Sequence, residues 1–123
     1  MRIKITRTKV IQVGQKGNEY GDKPLFAVYF RITNINDDDL SAIEAVVGTF
    51  NAYQDNNPNT ENELEVGPLP DARYRDIQSE KIKKGGTVGY AMSFQLDDLK
   101  TPVDLVAVEG LTDELGRITY SLK

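Results

Sequence analysis

The chain has 123 residues, 39% of them hydrophobic and 28% charged, with a formal net charge of −4. A single domain of that size buries roughly two-thirds of its unfolded surface, enough for one core without staples. Cys and His are both absent, which excludes disulfides, thiolate zinc sites, thiol nucleophiles and any Ser–His or Cys–His catalysis.

The opening segment, MRIKITRTKVIQVG, alternates polar and apolar residues. It lacks the continuous apolar stretch of a signal peptide. Ile3 and Ile5 alternate with Lys4 and Thr6 as in a strand, and Lys9–Val13 continues it through a bend. Gly14–Lys23, with three glycines, reads as a hairpin loop. Phe26, Val28, Phe30 and Ile32 share one face of the next strand. Leu25, Ala27, Tyr29 and Arg31 lie opposite, so the strand is apolar on both sides for much of its length, which predicts a central position in its sheet. Asn34–Asp39 is a turn. Leu40, Ile43 and Val47 have helical spacing, with Asp38 or Asp39 as the N-cap, while Ala45–Gln54 reads as a strand. Asp55–Asn62 holds no apolar residue and predicts an exposed loop. Asp71–Lys84 suits a short surface helix. Val88, Tyr90, Met92, Phe94 and Leu96 alternate without a miss against small or polar partners, the pattern of a half-buried strand. Val103–Glu109 and Arg117–Leu122 supply two more strands, joined through Thr112–Gly116. Six or seven short strands at this spacing predict an all-β sandwich. No linker or repeat divides residues 1–123, so one domain is expected.

Lys83–Leu96 reads KKGGTVGYAMSFQL. Glycines beside lysines can cradle phosphate, but a phosphate loop places its glycines before the lysine and a helix after it. Here the order is reversed and a strand follows. Gly85 or Gly86 is therefore expected to take a positive φ in a turn. The basic stretch Lys81–Lys84 is short and stands alone, and an acidic chain repels phosphate backbones, so no nucleic-acid partner is expected. No apolar run of about 18 residues exists to span a membrane.

The same stretch carries a resemblance. A basic residue, Gly and Thr, then an alternating strand ending in Phe-x-Leu, is similar to a signature of uncharacterised immunoglobulin-like domains. These occur in Gram-positive cell-envelope lipoproteins and secreted surface proteins. YFRITNINDDD (Tyr29–Asp39) resembles that family's strand, Thr-Asn and turn. FNAYQDN (Phe50–Asn56) with Glu63–Glu65 resembles another element, with Asn56 where the family usually has Gly, and VDLVAVEGL resembles the late strand. The resemblance spans Leu25–Leu111. It implies an immunoglobulin-like antiparallel β-sandwich of about seven strands, with one short helical turn allowed, located outside the cytoplasm and tethered by a lipid or by other modules. Its motifs fix turns and core positions and bring no catalytic residues. The sequence contains neither a lipobox cysteine nor a signal segment; either these lie outside it, or the location differs.

Asp55, Asn57, Asn59, Glu61 and Glu63 alternate like the first ligands of a calcium-binding EF-hand loop. Thr60 stands at that motif's Gly position and Val66 at its final Glu, and Pro58 intrudes, so a solvated loop is the better reading. Asp37, Asp38 and Asp39 form an exposed acidic turn, and Asp97 and Asp98 cap another. Nothing places a pair of carboxylates in an aromatic-lined cleft for glycoside hydrolysis. Among six tyrosines, Tyr90 belongs to the core, and Tyr53 and Tyr74, beside polar loops, are the better contact residues. The expectation is a non-enzymatic module for protein or envelope interaction, with no catalytic, metal or cofactor residue assigned. A small-ligand or calcium-binding domain of the same fold is the alternative.

Overall fold

The structure, a computed structural model, describes residues 2–35, 37, 39–46, 49–107 and 117–122. The strands are β1 (Arg2–Ile11), β2 (Leu25–Thr33), β3 (Leu40–Ser41), β4 (Phe50–Gln54), β5 (Lys81–Ile82), β6 (Thr87–Gln95), β7 (Val103–Ala107) and β8 (Arg117–Tyr120). One short helix, α1 (Ala42–Val46), and a 3-10 turn at Ala72–Tyr74 complete the described elements. Two three-stranded sheets, β1-β2-β6 and β4-β7-β8, are accompanied by the small pair β3-β5. Every pairing is antiparallel, and the fold is an all-β sandwich.

The sequence pattern of β2 explains its place. Phe26, Val28, Phe30 and Ile32 enter the main core, while Leu25, Ala27 and Tyr29 form a second cluster with Ile11 and Ala91 on the outer face. A strand apolar on both faces must be covered on both, and β2 lies between β1 and β6 as expected. Its inner side meets the opposite sheet: Phe30 stacks on Phe50 at 5.1 Å and Phe26 packs on Tyr120 at 5.5 Å. Its outer side is roofed by residues 67–74. Gly67 donates to Ser93 O at 2.9 Å, and the Tyr74 ring sits above Gly89, where an added Cβ would lie 3.3 Å away.

β1 stays continuous where the sequence suggested a bend. Ile3 and Ile5 face the core, and so does Val10, a change from odd to even positions that strict alternation cannot produce. A register shift between Ile5 and Arg7 supplies the extra residue, as a β-bulge does. Gln12 and Val13 already belong to the following loop.

The region Leu40–Gln54 departs from the expectation. The helix begins after Ser41, not at Asp38 or Asp39. Ser41 Oγ accepts the Glu44 N–H at 3.3 Å, while Glu44 Oε1 accepts from Ser41 N at 3.2 Å and Oγ at 2.8 Å. This is a capping box, S-x-x-E, which satisfies the orphan N–H groups of a first turn. Ala45 and Val46, read as the start of a strand, are therefore helical, and the buried face is Ala42, Ala45 and Val46. Ile43 is exposed. The strand proper starts at Phe50. Asp71 caps the 3-10 turn through the Arg73 N–H, so Asp71–Lys84 holds a single short helical turn before β5. Asp38, Val47, Val108–Glu109 and the Thr112–Gly116 connection lie outside the described residues.

Residues 62–67 tie the two large sheets together. Gln54 N donates to Asn62 O and Leu64 N to Ala52 O on β4; at the very next residue, Gln95 N of β6 donates to Glu65 O. One extended segment thus passes from one sheet to the other.

Candidate functional site

At one end of the sandwich, loops 12–24, 55–62 and 96–102 gather where β2 begins and β4 and β6 end. Gln54, at the end of β4, is fully buried. Its Nε2 donates to Asp98 O at 3.0 Å and Thr101 O at 2.9 Å. Its Oε1 accepts from Asp97 N at 2.8 Å and Asp98 N at 3.3 Å. One side chain so fixes the whole 97–101 turn. Asp98 then closes that turn by accepting from Lys100 N, Thr101 N and Thr101 Oγ1. The Asn56 amide, the N–H groups of Thr101 and Lys100 and the Thr101 hydroxyl hold its carboxyl well below the usual range. Asn56 Nδ2 also reaches Asp97, and Asn62 Nδ2 bridges Asn56 and Asp97.

Asp55, Asn57, Asn59 and Glu61 are exposed around an open groove of about 430 Å³ with Tyr53 and Val106 on its wall. Asn57 Oδ1 accepts from Asn59 N. Glu63 instead sits in a bridge to Tyr53. Among the described residues no group of three or more acidic side chains is placed to hold a metal ion.

Gly85 takes φ +83°, and Gly86 N donates to Lys83 O at 2.7 Å. Positive φ at the third of four residues is the type II pattern. Buried Asn34 clamps this turn: its O accepts from Gly85 N, its N donates to Gly86 O, and its Nδ2 donates to Ile82 O. Lys84 pairs with Asp37 at 2.6 Å, both side chains well exposed.

The tyrosines distribute unevenly. Tyr90 is buried, its hydroxyl bonded to Gln78, and burial pushes that hydroxyl's pKa up. Tyr74 lies between Tyr29 and Tyr90, 6.4 Å and 6.3 Å away, so it is packing more than contact surface. Tyr53 is half-buried. Tyr20, which the sequence did not single out, is fully exposed.

The outer face of the β1-β2-β6 sheet gathers residues that sequence reading overlooked. Register sets Arg2 opposite Thr33, Lys4 opposite Arg31, Arg7 opposite Tyr29 and Lys9 opposite Ala27. The corresponding β6 positions are Thr87, Gly89, Ala91 and Ser93. Five exposed cations therefore share four rows that contain no acidic residue. The Arg7 guanidinium lies 4.2 Å over the Tyr29 ring. Beside it, Arg73 lies 5.3 Å over Tyr74 and pairs with Asp71 at 2.8 Å. Among the described residues the ion pairs are Arg73–Asp71, Lys81–Glu44 and Lys84–Asp37; Arg2, Lys4, Arg7, Lys9 and Arg31 join none of them.

A family described as a domain of unknown function, DUF5067, matches residues 1–109. The chain belongs to the DUF5067 family. No curated protein matches it. Among solved structures, a protein titled a "putative lipoprotein" from Staphylococcus aureus subsp. aureus NCTC 8325 superposes with a TM-score of 0.74. The two are 22% identical, and the match covers 98% of this chain and 82% of that one. At that identity the likeness is one of fold.

In this DUF5067 chain the residues that carried the resemblance are structural. Gln54 anchors a turn, Asn34 clamps Gly85–Gly86, and Phe94 and Leu96 fill the core. The cationic face had a readable signal. Between Arg2 and Lys16 five cations occur, and the first acidic residue is Glu19. Lys81–Lys84 is thus not the only basic group. No helix among the described residues is long and apolar enough to cross a membrane.

Proposed function

We propose that residues 1–123 form one non-catalytic, immunoglobulin-like binding module that acts outside the cytoplasm, in the cell envelope of a Gram-positive bacterium. It engages a protein or envelope component through its surface. The observation that carries this reading is the contrast between two regions. The polar groups of Gln54, Asn56, Asp97 and Asp98 are spent on holding loops together. The cations of the outer sheet face are exposed and, among the described residues, join no ion pair. Polar side chains left solvated on a rigid sheet are suited to recognition. The family of the chain and the fold it shares with a protein titled as a lipoprotein support an envelope location. Protease treatment of intact cells tests the location: the domain should be cut without lysis. Protection until lysis would overturn it.

A further inference from the structure

We infer that the outer face of β1 and β2 is a docking strip for a linear, phosphate-bearing polyanion. The inference deepens the binding-module reading and rests on it.

Three features point there. First, the strip has one sign. Its rows hold Arg2, Lys4, Arg31, Arg7 and Lys9 and no acidic residue. Asp71, an acidic neighbour that feels the Lys9 charge, is already paired with Arg73. Second, the arrangement works against the fold. Lys4 stands directly opposite Arg31, and like charges facing across a strand pair are destabilising. Charges on a free edge strand can be explained as protection against aggregation. That accounts for β1 but not for Arg31, which sits on the central strand, where both edges are paired. Third, one cation is already oriented. The Arg7 guanidinium rests 4.2 Å over the Tyr29 ring, which restrains a planar donor fork suited to bidentate phosphate contact.

The shape selects a chain over a plane. From Arg2 to Lys9 the strip runs about 20 Å, the length of β2 from Thr33 to Ala27 at roughly 3.3 Å per residue. It is narrow: β2 adds only Arg31, its Tyr29 and Ala27 being buried, and the β6 positions beyond are Thr87, Gly89, Ala91 and Ser93. A bilayer would call for cations spread over an area. Nucleic acid would call for exposed rings on which bases stack, yet Tyr29 is buried beneath Arg7. A flexible phosphate polymer needs neither.

The test titrates long-chain inorganic polyphosphate against the wild-type chain and the Lys4→Gln/Arg31→Gln double variant over a range of salt concentrations. The double variant should bind roughly tenfold more weakly, and its slope of log affinity against log salt should fall by about 1.5, from two lost phosphate contacts. Its melting temperature should equal or exceed that of wild type, because the opposed charges are gone. A Lys81→Gln/Lys100→Gln variant, with the same charge change elsewhere, should bind like wild type. Equal weakening in both variants would reduce the effect to net charge and overturn the inference. So would a wild-type chain that ignores polyphosphate, or one that responds equally to inorganic phosphate at matched phosphate concentration, which would mean an adventitious ion only. Tighter binding to phosphatidylglycerol vesicles or to single-stranded DNA would overturn it in favour of those partners. A failure here leaves the envelope location untouched, since protease accessibility is measured without any ligand.

Discussion

Replacing Gln54 gives the sharpest test of how the loop end of the sandwich is held. Its amide makes three good hydrogen bonds and one long one, all to backbone atoms of Asp97, Asp98 and Thr101, with no solvent access. Net values of about 0.5–1.5 kcal/mol per bond, and the further penalty of leaving buried groups unpaired, put Gln54→Ala at about 3–4 kcal/mol. At roughly 4 °C per kcal/mol that is a loss of about 12–16 °C in melting temperature. Gln54→Glu is more diagnostic. One carboxylate oxygen can still accept from Asp97 N and Asp98 N, but the other faces two carbonyl oxygens and has no proton to give. Protonation restores a donor, so the folded pKa of the new Glu is raised above its unfolded value of about 4.3. A raised folded pKa means stability that is present at low pH and lost as pH climbs past the unfolded value. The gap between Gln54→Glu and wild type should therefore narrow as pH falls from about 7 toward 4. Thermal melts followed by circular dichroism at several pH values measure it. A gap that stays constant with pH, or an alanine variant that melts within a degree or two of wild type, would refute the assigned hydrogen bonding.

Other perturbations have equally definite outcomes. Phe94→Ala removes a fully buried ring from the centre of the main core and should cost about 3–5 kcal/mol in a denaturant titration. Gly85→Val forces a β-branched residue into φ +83° and should cost more than about 1 kcal/mol. Lys83→Gln with Lys84→Gln should stay within about 0.5 kcal/mol, since the Lys84–Asp37 pair is exposed. Gly21→Ala would put its Cβ 2.0 Å from Asn18 Oδ1. Buried Asn18 holds the 12–24 loop through Ile11 O and Lys23 O, so hydrogen exchange there should accelerate. Acid lability should follow Glu44 and Asp98. Lys81 and Ser41 lower the Glu44 pKa from 4.5 to about 2. A lowered folded pKa gives stability that is present above the unfolded value and lost as pH falls through the folded one. Glu44→Gln with Asp98→Asn should therefore flatten the fall in melting temperature between about pH 4.5 and 2.

The long strands were legible because one residue pattern settled each of them. Ten alternating residues from Thr87 admit a strand and nothing else, and two apolar faces on Leu25–Thr33 demand the central position it has. The turn at Gly85 was legible because its glycine follows lysines and precedes a strand. Leu40–Gln54 was misread for a physical reason. β-branched and aromatic residues there favour a strand by propensity, but the S-x-x-E box at Ser41–Glu44 supplies caps that propensity ignores. The box is present in the sequence at Ser41–Glu44, just beyond the acidic turn that ends at Asp39. Gln54 could be seen as part of a resemblance, but not its work. Its partners are 43 to 47 residues away, and no local pattern encodes that distance.

The cationic face shows a different limit. Composition averages over the chain, so a net charge of −4 argues against any polyanion. What a ligand meets is a face. The pleat sends alternate residues of β1 to one side, and the bulge after Ile5 lets Arg7 and Lys9 rejoin the side already occupied by Arg2 and Lys4. Without that extra residue Arg7 and Lys9 would turn toward the core, and burying two unpaired cations would cost far more than the bulge. The same insertion that keeps Val10 inside therefore aligns four cations outside. Arg31 joins them only through the β1–β2 register, which no reading of either strand alone can supply. If the face existed only to keep an edge strand soluble, Arg31→Glu would pair with Lys4 and improve the protein without loss. If it binds a polyanion, the same change should raise the melting temperature and weaken polyphosphate binding about tenfold together. Measuring both on one variant separates a charge that guards the fold from one that serves a partner.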